Sequence, residues 1–254
     1  MKDKEYWLNR AIEKDKYLEK NLKKVEKQLK KSYQEAIREI KKEIAFLYAE
    51  NKLTEYQKYH SEETIKSLES ILDEMYKREE QMLQGNLINV YKDIFENECD
   101  ELTVNISFST VNDRLIREVI KTNWSGLTFS ERIWGNGRDK LAIKVKEILN
   151  KGLIRGDSLQ DMARSLANEL NKDYKRALTL VHTETCWVQN QATLDSYKEA
   201  DLKEYEFCAF IDHRTSEVCK ELDGTVIKIK DGVAGVNLPP LHPRCRSCIL
   251  PVID

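Results

Sequence analysis

All four prolines of this 254-residue chain (Pro239, Pro240, Pro243 and Pro251) fall within its last 16 residues. Interleaved with them runs Leu241-His242-Pro243-Arg244-Cys245-Arg246-Ser247-Cys248. Proline lacks an amide hydrogen and fixes its own φ, so helix or sheet hydrogen bonds alone cannot hold such a tail together. Something else must fix it. His-x2-Cys-x2-Cys, with Cys219 upstream, supplies four transition-metal ligands to one short segment. Zinc takes thiolate and imidazole ligands in a tetrahedron, and two-residue spacings let neighbouring side chains reach one ion. Cys219, His242, Cys245 and Cys248 are therefore the candidate ligands of a closed, structural zinc site. The bland alternative is a tail whose cysteines are simply buried.

A second chemistry fits the same residues. Cys219 or Cys245 is a candidate nucleophile with His242 as base and Asp212 as orienter. No nucleophile elbow or glycine-rich oxyanion loop accompanies them, so the expectation is a chain that is not an enzyme. Asp212 or Thr215 is expected to cap the short helix that carries Cys219. Asp212 and His213 are also alternatives for a fourth metal ligand. Arg214 is expected to pair with a carboxylate such as Glu184. His182-Thr183-Glu184 lies mid-helix among apolar residues, where a buried ionic contact is expected. Cys99 and Cys186 lie far from the cluster and read as small buried hydrophobes; Cys208 reads likewise, with a reserve role as ligand.

Charged residues make up 34% of the chain, aromatics 8%, and there are only nine glycines, the profile of a helix-dominated soluble protein. A formal net charge of −2 argues against a dedicated nucleic-acid binder. Residues 14–31 nevertheless carry eight lysines against three acids, a face that either is solvated or contacts polyanions. No apolar run approaches the ~20 residues of a membrane span, and the N-terminus lacks the apolar core of a secretory signal. The cysteines are therefore expected as reduced thiols in a cytoplasmic setting.

The fold expected is mainly α. An elongated helical arm (1–100) and a helical body (101–200) precede a small α+β knob (201–254). In residues 5–50, Leu18, Leu22, Val25, Leu29, Tyr33, Ala36, Ile40, Ile44 and Leu47 recur every ~3.6 residues, the period of a straight amphipathic helix. A second helix over 54–84 is expected to end near Gly85, followed by a short one over 87–97. A linker or strand is expected over 101–111, then helices over 112–122, from Thr128 or Ser130 to Asn150, over 158–171 and over 173–199. Gly152 and Gly156 are expected to form a turn, and Ser158 with Asp161 a capping box. From 204 the period drops to two, giving strands at 204–211, 225–229 and 249–253.

Read in order, these residues resemble the Mu F-type head morphogenesis family, the minor capsid proteins of tailed phages. The likeness runs through Phe129-Ser-Glu-Arg-Ile-Trp134, Gly152-Leu-Ile-Arg-Gly156-Asp-Ser and Thr183-Glu184. It continues through Asp212-x-Arg214-Thr215-x3-Cys219 and Leu222-Asp-Gly224 to Asn237-Leu-Pro-Pro-Leu-His242-Pro-Arg-Cys245-Arg-Ser. His182 stands where the family commonly has arginine, and Cys248 is not fixed in the pattern. The family elements thus leave Cys219, His242 and Cys245 as the stable core of any site. The resemblance implies a virion component of the capsid interior or portal vertex, present in the host cytoplasm during assembly. Its implied partners are portal and major capsid or scaffold proteins. It also implies action in prohead assembly and, in some phages, passage into the host with the DNA, which Lys20, Lys23, Lys24 and Lys27 are placed to touch. Members can carry a C-terminal toxin domain; with the sequence ending at Asp254, none is expected here.

Overall fold

The computed structural model describes residues 3–49, 55–103 and 113–253. Among them stand α1 (Lys4–Ala49), α2 (Glu55–Glu101), α3 (Asp113–Lys121), α4 (Phe129–Ile133), α5 (Asp139–Arg155), α6 (Leu159–Glu199) and α7 (Glu217–Leu222). Three strands, β1 (Glu204–Cys208), β2 (Val226–Lys228) and β3 (Cys248–Pro251), form the sheet. The chain is mainly helical with a small C-terminal antiparallel sheet, as its composition and periodicity imply. No described helix is long and apolar enough to cross a membrane.

The chain packs as two units, each discontinuous in sequence. One comprises Met1–Val25, Leu83–Phe129 and Thr179–Asp254; the other comprises Glu26–Met82 and Ser130–Leu178. This grouping cuts across the contiguous parts 1–100, 101–200 and 201–254, because α1, α2 and α6 each contribute a segment to both units.

The first unit is organised by its sheet, ordered β2-β1-β3 with both pairings antiparallel. Alternation along β1 sends Tyr205 and Phe207 to one face and Cys208 to the other. On the first face, Tyr205 and Ile249 pack with Leu194 and Tyr197 of α6, and Phe207 packs with Cys186, Cys219 and Cys245. On the second face, Cys208, Cys248 and Leu250 pack against Trp7 and Ala11 of α1. Ile211, expected to continue the alternation, lies beyond the strand and is 58% exposed.

The second unit takes the remainder of the α1 stripe. Leu29, Tyr33, Ala36, Ile40 and Ile44 are all buried; the side chain of Leu47 lies outside the described set. Within this core sits a polar cluster. Tyr33 Oη lies 2.6 Å from Asp173 Oδ2 and 3.1 Å from Glu79 Oε2, and Arg176 Nε donates to Asp173 Oδ1 at 2.8 Å. Tyr76 Oη also donates to Asp173.

Four expected helix boundaries are corrected. α2 runs unbroken through Gly85, whose cost in a helix interior is offset by the buried Leu83, Leu87 and Ile88 around it. α6 is likewise one helix of 41 residues with no break at 172, opened by the expected box in which Asp161 N donates to Ser158 Oγ. The expected helix from 128–130 to 150 is instead α4, a π-helical turn at Trp134–Arg138, and α5. Glycine at 137 matters in that wide turn: a Cβ there would sit 2.3 Å from Arg176 Nη2. Gly152 lies inside α5, where a Cβ would meet Met162 Sδ at 2.2 Å, and Gly156, at φ +70°, makes the stop alone. The expected linker over 101–111 lies outside the described residues from 104 onward.

Candidate metal centre

The loop after β1 is tied by its own side chains. Thr215 Oγ1 accepts from Asp212 N at 2.8 Å and donates to Phe210 O at 2.7 Å. The cap of α7 is neither of these residues but Ser216, whose side chain accepts from Cys219 N. That cap turns Cys219 inward, where it is buried. Asp212 is occupied otherwise: it accepts from Arg214 N at 2.7 Å and from Arg246 Nη2 at 2.7 Å. These two donors, the amide first, hold its carboxyl well below the usual carboxylate range. Arg214 thus pairs with Asp212, at 3.2 Å, rather than with the fully buried Glu184. Behind α7, Gly224 adopts φ +75° and Asp223 Oδ1 accepts from Ala209 N, which returns the chain to β2 as the Asp-Gly pair predicts.

The proline-rich tail turns at His242–Cys245. Cys245 N donates to His242 O at 3.2 Å, with Arg244 in the left-handed region at φ +61°. Arg244 N also donates to Thr183 Oγ1 at 3.1 Å, so the Thr183 position on α6 anchors this turn. The result brings Cys219, His242 and Cys245 together, their ligand atoms all within 4.8 Å of one another. The Cys219 and Cys245 sulfurs stand 3.8 Å apart. That is far beyond a disulfide bond of about 2.05 Å. It matches the edge of a tetrahedron built on zinc–sulfur bonds of about 2.3 Å, which is about 3.8 Å. His242 Nδ1 lies 2.9 Å from Pro243 O; with its proton committed to that carbonyl, Nε2 is left with its lone pair for a metal. The neighbouring Cys186 thiol, helped by the amides of Leu241 and Ser247, lowers the Cys245 thiol against the effect of burial. Burial raises Cys219, opposed by the hydroxyls of Ser216 and Ser247. This donor set suits a borderline-soft divalent ion.

The other candidate residues are placed apart. Cys248 sits opposite Cys208 across the β1–β3 ladder, on the face turned to α1. His213 is exposed. Lys20, Lys23, Lys24 and Lys27 are all exposed. The residue that sequence reading set aside is Cys186. It lies on α6, buried in one cluster with Cys219 and Cys245, 59 positions before Cys245 in sequence. Neither spacing nor composition signals it; only the path of α6 across the sheet brings it there. A cavity of about 600 Å³ opens beside the centre, lined by His182, Cys186, Arg214, His242, Cys245 and Arg246 among others.

Residues 143–250 match the family described as phage Mu protein F like protein, which bears out the resemblance read from the sequence. At the level of that family the match points to a phage head morphogenesis protein. The chain is 26% identical to the NAD(+)--arginine ADP-ribosyltransferase EFV of Enterococcus faecalis over 92% of its own length and 52% of that protein's. It is 24% identical to an uncharacterized protein of Haemophilus influenzae over 46% of its length and 26% of that protein's. It therefore spans about half the length of the first relative and a quarter of the second. No solved structure matches it.

Proposed function

Taking the phage Mu F-like segment at 143–250 as the starting point, we propose that this chain is a minor capsid protein of a tailed phage, acting in prohead assembly near the portal. The observation that carries this reading is that the family segment contains all of Cys219, His242 and Cys245, the residues that the fold brings together. We assign the centre to a structural zinc ion held by both thiolates and His242 Nε2. When bound, the ion would supply a cross-link between α7 and the proline-rich tail. In this reading the chain is not an enzyme. The face of α1 carrying Lys20, Lys23, Lys24 and Lys27 is available to packaged DNA or to an acidic shell or portal surface.

An enzymatic reading draws on one observation, the name of the Enterococcus faecalis relative. Two measurements separate the readings. Protein purified without added metal or chelator is expected to hold about one zinc per chain, and Cys245→Ser to lose it together with several kcal/mol of stability. Assembly with the portal and capsid proteins of its own phage is expected to retain a few copies per prohead. Absence from proheads, together with ADP-ribose transfer from NAD to an arginine acceptor, would replace the assembly reading with the enzymatic one.

A further inference from the structure

We propose that Cys186 is the fourth ligand of the centre, making it a three-thiolate, one-imidazole zinc site. This inference rests on the zinc reading above. Three ligands close only part of a tetrahedron, and a structural site is four-coordinate. Sequence spacing nominates Cys248, but the strand geometry opposes it. Side chains alternate along a strand, and Cys248 is the direct cross-strand partner of Cys208, three positions after Cys245. Both sulfurs point to the face covered by Trp7 and Ala11, whereas Cys219 and Cys245 lie on the Phe207 face. Bringing Cys248 to the centre would require β3 to slip by one residue, which would turn Ile249 and Leu250 to the wrong faces as well.

Cys186 is already on the right face. It shares a buried cluster with Cys219, Cys245 and Phe207, its thiol donates to Ser247 O, two residues past Cys245, at 3.7 Å, and it lines the same cavity as His242 and Cys245. Its support resembles that of a metal-bound thiolate: Asn190 Nδ2, one turn further along α6, approaches its sulfur at 3.6 Å. The same amide also donates to Ser247 O at 3.2 Å, and Thr183 receives Arg244 N at 3.1 Å. The ligand-bearing loop is therefore fastened to α6 on both sides of Cys186. Cys186 Sγ is not within 4.8 Å of all three of the other ligand atoms, so the assignment requires a change of its side-chain rotamer. Cys186 carries its sulfur from a helix 33 residues before Cys219, so the ion would join α6, α7 and the tail rather than the knob alone.

X-ray absorption at the zinc edge of the full wild-type chain counts ligand types without any substitution. Three sulfurs and one nitrogen are expected. Two sulfurs with two lighter ligands would overturn the proposal and leave the fourth position to water or a carboxylate. Identity is read from cobalt-substituted protein, whose sulfur-to-cobalt absorption scales with the number of thiolates. Cys248→Ser and Cys208→Ser are each expected to keep the full intensity, and Cys186→Ser to lose about a third of it. A third lost in Cys248→Ser or Cys208→Ser would overturn the assignment in favour of that residue. Should Cys186→Ser fail to fold, three sulfurs retained in both other variants still leave Cys186 as the third thiolate, since Cys99 is buried on α2 outside these clusters. Wild-type protein that takes up neither zinc nor cobalt would defeat the metal reading itself, an outcome distinct from a two-sulfur site.

Discussion

Glu79 is buried beside a second carboxylate, Asp173, with one guanidinium, Arg176, shared among them. Tyr33 has a single hydroxyl proton for two acceptors, and Glu79 Oε1 has no partner. A proton on Glu79 satisfies the second contact. Burial first, then the nearby Asp173 charge, pushes Glu79 up to about 7 against the opposing pull of Arg176. Unfolded, the same group titrates near the ordinary glutamate value of 4.5. The folded state thus binds this proton more tightly, and the associated stability is fully present below about pH 4.5 and lost as pH rises through about 7. The difference amounts to at most about 3 kcal/mol. Urea unfolding at pH 5 and pH 8 is expected to show that loss, and Glu79→Gln to flatten it while stabilising the protein at pH 8. Little of this was legible beforehand: Glu79 sits in a charged helical sequence where any face looks solvated. His242, Cys219 and Cys245 were legible because metal ligands come in a few residue types at short spacings. Cys186 was not, since its place in the centre depends on tertiary path alone.

At the scale of elements, glycines show where local signals mislead. Gly85 reads as a helix stop, yet it is exposed in the middle of α2 with open space where a Cβ would stand. Gly85→Ala is expected to stabilise the protein by about 0.5–1 kcal/mol, since only backbone freedom is lost. Gly137 looks equally dispensable but is not. A Cβ there would displace the Arg176 guanidinium from Asp173, and Gly137→Ala is expected to cost about 1–3 kcal/mol by leaving the buried Asp173 carboxylate without its cation. Thermal or urea denaturation of the two variants checks both signs. Strands and helix identities were readable from their periods of 2 and 3.6. Helix ends were not, because packing on either side of a weak residue carries the helix through it.

For the whole molecule, the two discontinuous units mean that metal removal has a bounded reach. Hydrogen exchange after chelation is expected to lose protection in α7, the tail and the Thr183–Asn190 turn pair of α6, and to keep it in α5. Equal loss throughout would show that the centre governs both units. The grouping itself was not legible, since a long helix gives no sign in sequence of where it passes from one core to another. The apolar cluster around Trp7 carries one more implication. Its partners Cys208, Cys248 and Leu250 lie more than 200 residues later in the chain. At roughly 5–20 residues per second of synthesis, Trp7 is joined to the growing chain roughly 12–50 seconds before the last of them is made. The first helix must therefore spend its earliest life without the strand that covers it, and a chaperone or a neighbouring chain has that interval in which to reach it.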